Sequence, residues 1–431
     1  MKATLEKTSP VKQKMTVEVP SGMVRTARTA ALQKVQKKAK IKGFRPGKVP
    51  TEVVEKHYGA DIDQETMEEL VRLTYARALE EVKTTPISRP QIQPGTYLPN
   101  EAFSYTALFE IKPELTLDGY KGLKLEKEEV VITPKEIDEE LKKIQQSMTQ
   151  LAPTADETVL GEGHVATLDF KGKAGGKPFK GSEAKDFQVD IGTGGILPEF
   201  EKQLHGLKKG EVKQIEFQYP KDYFNKELAD QKAEFTVTLK DLRAKNVPAL
   251  NDDFAKDLGN YESLAQVREA ITTRLAQTKE NAVKGALFQK ILKELSEKNK
   301  FDIPESMVNT ELSHMVEQLG HEMTQRGQKL EDLNLQEVVN HYRPEAEFRT
   351  RGFLILDKIA QLEKLEVADA EIDQFLEAQS KAAGRPKEQI RAYYEKNQLF
   401  NSLKMRLLHE KALEFVLSQA KIKGVKPKKK D

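Results

Sequence analysis

Two groups of side chains in this sequence have types and spacing that could carry chemistry. The first is Gly43-Phe44-Arg45-Pro46-Gly47-Lys48-Val49-Pro50. Two glycines and two prolines in eight residues cannot continue a helix, so the stretch is a tight loop. It lifts Phe44 between Lys42 and Arg45, although a plain helix-helix connector would also use such residues. The second group is Phe170, Phe179, Phe187, Leu197, Phe200, Tyr223 and Phe235, with Asp169, Ile196, Pro198 and Glu199 among them. Aromatic residues are only 7% of the chain, so their density here marks the region. Strand aromatics ordinarily pack inward, and about half of these belong to a core on that ground. Other patterns carry less. His314, Glu317 and His321 share a helical face without further ligands and read as solvated, so no metal is expected. Gly192-Thr193-Gly194-Gly195 lacks the lysine and following helix of a phosphate loop and reads as a turn. No serine or histidine constellation suggests hydrolysis, and no cofactor is expected.

The elements that must position these residues follow from periodicity. Val11, Gln13, Met15, Val17 and Val19 alternate with Lys12, Lys14, Thr16 and Glu18, which predicts a half-exposed strand. Val24, Ala27, Ala31, Val35 and Ala39 recur at helical spacing before the octapeptide. A second helical pattern runs from Thr51 to Tyr58-Gly59 and resumes through Met67, Val71, Thr74, Ala78 and Val82. Phe103, Tyr105, Ala107, Phe109 and Ile111 share one face of a strand. Gly119 to Glu129 reads as an extended linker. Thr133-Pro134-Lys135-Glu136 is a helix start, with a threonine cap, proline first and glutamate reaching back. Its Glu136-Ile137-Asp138 with Leu141 is echoed by Glu371-Ile372-Asp373 with Leu376, read as two similar helix starts. Short strands at Val165–Phe170, Gln214–Phe217 and Phe235–Leu239 alternate with glycine-rich turns, among them Gly172 to Gly176. From Asn251 the chain is helical almost throughout, with Pro344 placed in a first turn and Gly384 and Pro386 as a break. The tail after Lys426 is expected to be disordered.

At 431 residues the chain exceeds one hydrophobic core and predicts about three domains. Charged residues make up 32% and hydrophobic ones 38%, the balance of a polar globular protein. No run of about 18 apolar residues exists to span a membrane. Nothing at the N-terminus marks it for secretion, so a cytoplasmic address is expected. Zero cysteines exclude a disulfide scaffold and thiol catalysis. Residues 1–50 hold 13 Lys/Arg against Glu6 and Glu18, leaving the remainder at −9 within a net charge of +2. A basic end for a polyanion and an acidic body is the physical reading. The layout is multidomain α+β, with an α+β N-domain over residues 1–113 and a linker and helix associated with the C-terminal domain over 114–150. A β-rich domain over 151–245 and an all-α domain over 246–431 follow.

The octapeptide resembles the Gly-Phe-Arg-x-Gly-x-x-Pro motif of the trigger factor family, bacterial chaperones of nascent chains, with all five fixed positions present. The resemblance implies ribosome contact through Gly43, Phe44, Arg45, Gly47, Lys48 and Pro50. The aromatic series, with Ile196-Leu197-Pro198-Glu199-Phe200, is similar to FK506-binding peptidyl-prolyl isomerases. There a twisted sheet wraps a helix around an apolar cup, here comprising Phe170, Phe179, Phe187, Leu197, Phe200, Tyr223 and Phe235. Such a cup suits the reaction, because X-Pro rotation breaks amide resonance across a barrier of about 18–20 kcal/mol with no bond cleaved. Glu199 stands where glycine is usual in that family, and Lys180 where many members carry aspartate. The resemblance covers the whole chain and implies a helical body with two arms. Its function would be that of an ATP-independent chaperone at the ribosomal tunnel exit, touching a large-subunit protein and nearby rRNA. It would hold nascent and unfolded polypeptides, and a homodimer off the ribosome stays open. A free-standing proline isomerase whose helical region only recruits substrate is the alternative. An RNA-binding protein is a third, against which Phe44 is the only aromatic among the first 50 residues and offers no base-stacking platform.

Overall fold

The computed structural model of the chain describes every residue except Gly43, Pro46, Gly47, Lys180, Phe224, 329–332 and 427–431, so expectations for Gly43, Gly47, Lys180 and the tail after Lys426 lie outside the described residues. Lys2–Ser9 (β1) and Lys12–Val19 (β2) form a hairpin, followed by helices Ser21–Lys38 (α1) and Thr51–Glu81 (α2). Gln91–Pro94 (β3) and Phe103–Glu110 (β4) complete a sheet ordered β1-β2-β4-β3. Period-two alternation puts Met15, Val17 and Val19 of β2 on one face with Phe103, Tyr105, Ala107 and Phe109 of β4. Val24 and Ala27 of α1 and Leu70 and Ala78 of α2 close over that face. The interruption expected at Tyr58-Gly59 is a kink in one helix, with Tyr58 at φ −126° and ψ 24°. The sequence pattern does not reveal β1 or β3. β1 is an exposed edge, and β3 contains Pro94, which only an edge strand tolerates.

The stretch Gly119–Glu129 is extended but is not a free linker. Lys124–Glu128 (β5) pairs in parallel with Lys421–Val425, and Leu117, Leu123 and Leu125 are buried among helices. Leu123 and Leu125 alternate with charged residues, the pattern of a strand with one covered face. Pro134–Ser147 (α3) starts as expected: Glu136 N–H reaches the Thr133 hydroxyl at 3.4 Å, and Thr133 N–H donates to the Glu136 carboxylate at 2.9 Å.

Gln150–Pro153 (β6), His164–Ala174 (β7), Glu183–Asp190 (β8), Val212–Gln218 (β9) and Lys232–Asn246 (β10) build a five-stranded sheet. The path is β6-β10-β7-β8, with β9 pairing β10, and the helix Pro198–Leu204 (α4) packs on one face. Gly172 and Ala174, expected in a turn, lie within β7; the turn is confined to Gly175 and Gly176, both at positive φ.

Helices then dominate: Asp252–Asp257 (α5), Leu264–Lys298 (α6), Glu305–Gln325 (α7), Leu335–Leu362 (α8), Asp369–Ala383 (α9), Lys387–Lys396 (α10) and Phe400–Ser418 (α11), before the strand Lys421–Val425 (β11). The chain divides into two compact units, Met1–Glu128 with Val283–Lys426, and Glu129–Ala282. In the first, Leu287, Ile291 and Leu295 of α6 meet Ile355, Leu356 and Ile359 of α8 and Ala412, Leu413 and Val416 of α11. In the second, Leu141 of α3 packs on Phe254 of α5 and on Val267 and Ile271 of α6. Pro344 does not open a helix as expected; it lies inside α8, which Asn334 caps. Val339 and Tyr342 before it and Ala346 after it all pack on Val308, Leu312 and Met315 of α7, so tertiary contact on both sides outweighs the lost hydrogen bond. The two similar helix starts share a latch. Glu136 binds Lys279, which also donates to Val131 O, and Glu371 binds Lys411, which also donates to Glu366 O. Among the described residues, no helix is long and apolar enough to cross a membrane.

Candidate functional site

The aromatic series converges on the inner face of the five-stranded sheet. Phe235 of β10 is its hub, with ring centroids 5.9 Å from Phe170, 6.2 Å from Phe179 and 5.4 Å from Phe200. These contacts are edge-to-face, the geometry that aromatic quadrupoles favour. Phe187 joins through Phe170 at 5.5 Å and is 40% exposed, so it stands at the rim. Leu197, at the N-cap of α4, and Ile196 pack against the same cluster. Tyr223 meets Tyr219 in a tilted pair at 4.7 Å, and Tyr219 meets Phe179 at 6.4 Å. All seven residues expected in the cup thus belong to one apolar assembly.

Two members went unread in the sequence. Phe217 lies 5.9 Å from both Phe200 and Phe235, and Tyr219 lies 5.0 Å from Phe217. Ile215, Phe217 and Tyr219 alternate on one face, a period-two pattern that points to the same lining. Burial, with Tyr223 adding to it, pushes the Tyr219 phenol up to about 12, so it stays neutral at any physiological pH. Backbone devices hold the rim. Phe179 N–H donates to the Ser182 hydroxyl at 3.2 Å, and Ser182 N–H returns to Phe179 O at 3.0 Å. Asp186, at φ 54°, donates its N–H to Asp169 at 2.7 Å, and Lys240 pairs with both carboxylates. Gly172 faces Phe235 across the strand pair, and a Cβ there would sit 2.3 Å from the ring, so only glycine lets the hub ring lie flat. The chemistry available is apolar: no carboxylate, imidazole or hydroxyl nucleophile is needed to bind a twisted amide better than a planar one. A groove of about 590 Å³ on this sheet is lined by Phe170 and Phe235 of the cluster together with Lys171, Lys173, Glu183, Lys185, Glu216 and Glu234.

The octapeptide joins α1 to α2. Phe44 is 42% exposed, and Arg45, Lys48 and Pro50 are exposed with it. Phe44 N–H donates to Ile41 O at 3.1 Å, and Lys48 N–H to Arg45 O at 3.0 Å. Val49, only 1% exposed, plugs the loop into the helix pair against Ala31, Val54 and Ile62, and Gln36 donates to Val49 O at 2.5 Å. Arg28 of α1 bridges to Asp63 and Glu55 of α2, and Lys34 to Glu65, bracing the two helices that carry the loop. The loop thus presents an exposed aromatic beside exposed cations and above a buried valine.

Three successive parts of the chain match known families. Residues 1–144 match the family described as bacterial trigger factor protein, residues 263–418 its C-terminus, and residues 157–240 the FKBP-type peptidyl-prolyl cis-trans isomerases. A trigger factor of Geotalea daltonii is 33% identical over 434 residues, covering 100% of both chains. One of Halothermothrix orenii is 34% identical over 413 residues, covering 94% of this chain and 96% of the relative. One of Geobacter sulfurreducens is 32% identical over 98% of this chain and 99% of the relative. A solved structure described as "Promiscuous Substrate Recognition in Folding and Assembly Activities of the Trigger Factor Chaperone" superposes with a TM-score of 0.53, covering 97% of this chain and 99% of that one at 17% identity. That likeness supports the three-part fold, and the whole-length relatives leave little room for an isomerase with a merely recruiting helical region. With both terminal parts and the insert matched in order and at full length, the chain belongs to the trigger factor family.

Proposed function

We propose that this chain works through two separate sites, a ribosome-contacting loop at Phe44, Arg45, Lys48 and Pro50 and an isomerase cup centred on Phe235. A chaperone with a ribosome-binding N domain and an FKBP-type isomerase domain is what the family establishes. Ribosome and nascent-chain binding come with it; the residues that do this work are our assignment. The observation that carries the loop is its packing: Val49 is buried while Phe44 and its cations are not. Phe44 inserts as an apolar anchor, and Arg45 and Lys48 meet acidic side chains of a tunnel-exit protein or rRNA phosphates. Gly43 and Gly47 belong to the same proposed contact motif. The site of action is the cytoplasm, partly on ribosomes. Residues 1–113, 151–245 and 246–431 act as the docking, isomerase and client-holding domains, with 114–150 joining them.

The test is ribosome co-sedimentation. Replacing Phe44, Arg45 and Lys48 together by alanine abolishes it, and the unmodified chain loses affinity steeply between about 50 and 200 mM salt. Undiminished binding by the triple variant would sink the loop assignment. For the cup, residues 151–245 accelerate cis-trans exchange in a Leu-Pro or Phe-Pro peptide. A folded segment with no rate above background would remove the activity from this cup. Client holding rests on the helical region, where Met315 is buried in the α7–α8 hairpin while Met307 and Met323 are half-buried. Of those three, Met315 serves the hairpin's own core.

A further inference from the structure

We infer that Asp169 and Lys240 are positioning residues of the cup, clamping two β-bulges that aim Phe187 at the chain flanking a substrate proline. The inference rests on the reading of this cup as the isomerase site. β8 is an edge strand whose neighbour in the sheet is β7, so Phe187 takes its place from that pairing. The pairing is irregular at this point. Leu168 stands opposite Phe187 and Phe170 opposite Ala184, so Lys185 and Asp186 together face Asp169 alone. A regular ladder would set Lys185 opposite Phe170, on the face that lines the cup. The bulge places Ala184 there instead and leaves Lys185 exposed. A second bulge lies on the other side of the same strand. Leu239 pairs with Leu168 and Asp241 with Thr167, which makes Lys240 the extra residue of β10.

The carboxylate of Asp169 ties the two bulges together. One oxygen accepts the Asp186 N–H at 2.7 Å, and the other lies 3.7 Å from Lys240 Nζ. Lys240 also donates to the Asp186 carboxylate. Asp186 needs such support, because its φ of 54° belongs to the left-handed region that a side chain enters at a cost. The next residue along the chain is Phe187, exposed at the rim with its ring edge-on to Phe170. A rim side chain touches the part of a peptide that does not rotate. It therefore binds planar and twisted amides alike, and acts on KM rather than on kcat.

The test is isomerase kinetics of the full chain on a Phe-Pro peptide. Asp169→Ala raises KM about fivefold and leaves kcat within about twofold. Asp169→Asn keeps an acceptor for the Asp186 N–H and recovers most of that loss. In a Phe187→Ala background, whose own KM is raised, Asp169→Ala adds nothing, because the clamp acts through that ring. Lys240→Gln, on a half-exposed side chain that the fold can spare, raises KM about twofold and repeats the comparison if Asp169→Ala proves unstable on melting. An unchanged KM in Asp169→Ala and Lys240→Gln overturns the proposal. So does an equal rise with and without Phe187, which is the mark of general loosening. A parent chain that shows no isomerase activity removes the cup reading and the clamp together, whereas an active parent with insensitive variants removes the clamp alone.

Discussion

The proposed contact loop and the proposed isomerase cup solve opposite problems with the same residue type. In the loop, phenylalanine faces outward: Phe44 is 42% exposed, and the fold depends instead on Val49 beneath it. In the cup, phenylalanines are at once lining and core, since Phe200, Phe217 and Phe235 are each under 10% exposed and touch one another. A site made of core side chains cannot be altered without loosening the fold, whereas a site on a braced hairpin can. Function and stability are therefore coupled in one region and separable in the other.

That contrast can be broken at several points, taken from the largest effect on stability downward. Phe235→Ala empties the hub of the cup and costs about 3–5 kcal/mol, with loss of isomerase turnover, while ribosome co-sedimentation is retained. Calorimetry and a proline-peptide assay on the same preparation check it; normal turnover in a destabilised variant would uncouple what the packing couples. Val49→Ala removes the loop's buried plug and costs about 2 kcal/mol by its lost methyl burial. It also weakens ribosome binding by misplacing Phe44, and chemical denaturation with co-sedimentation reads both. Gly172→Ala forces the Phe235 ring aside, for about 1–3 kcal/mol of overpacking, and lowers the isomerase rate without touching ribosome binding. Smaller still, the Phe44, Arg45 and Lys48 triple alanine variant stays within about 0.5 kcal/mol of the parent while losing the ribosome, since exposed side chains contribute little to the fold. A large drop in stability there would mean the loop is as coupled as the cup.

The weakest effect lies outside both sites and calibrates them. Glu136 at the start of α3 is held at about 2 against an ordinary 4.5, by Lys279 first and by the Thr133 N–H and hydroxyl next. Because the folded value is depressed, its contribution is present above about pH 4.5 and lost as pH falls toward 2. Both side chains are about one-third exposed, so water screens the pair and the contribution is small. The difference in melting temperature between the parent and Glu136→Gln is accordingly greatest at neutral pH and shrinks through pH 4. A difference that grows on acidification would contradict the latch.

Sequence by itself determined whatever depends on neighbours along the chain. Thr133-Pro134-Lys135-Glu136 specifies its own cap, because the threonine hydroxyl and glutamate carboxylate reach only three residues. The alternation of Phe103, Tyr105, Ala107 and Phe109 specifies a one-faced strand, because successive side chains must point to opposite sides. The octapeptide specifies a loop, since two prolines and two glycines admit no helix. The spacing and order of the aromatics, matched to a known family, picked out seven residues that the structure brings into one cluster.

Tertiary structure decided whatever depends on a distant partner. β5 looks like linker until Lys421–Val425 supplies its hydrogen bonds from the far end of the chain. Pro344 belongs at a helix start by local rules, yet α7 holds α8 continuous across it. Phe217 and Tyr219 read as ordinary strand residues until α4 and the Phe179 turn bring Phe200 and Phe179 against them. Which phenylalanine is exposed was also settled this way, because exposure is what remains after every other element has packed.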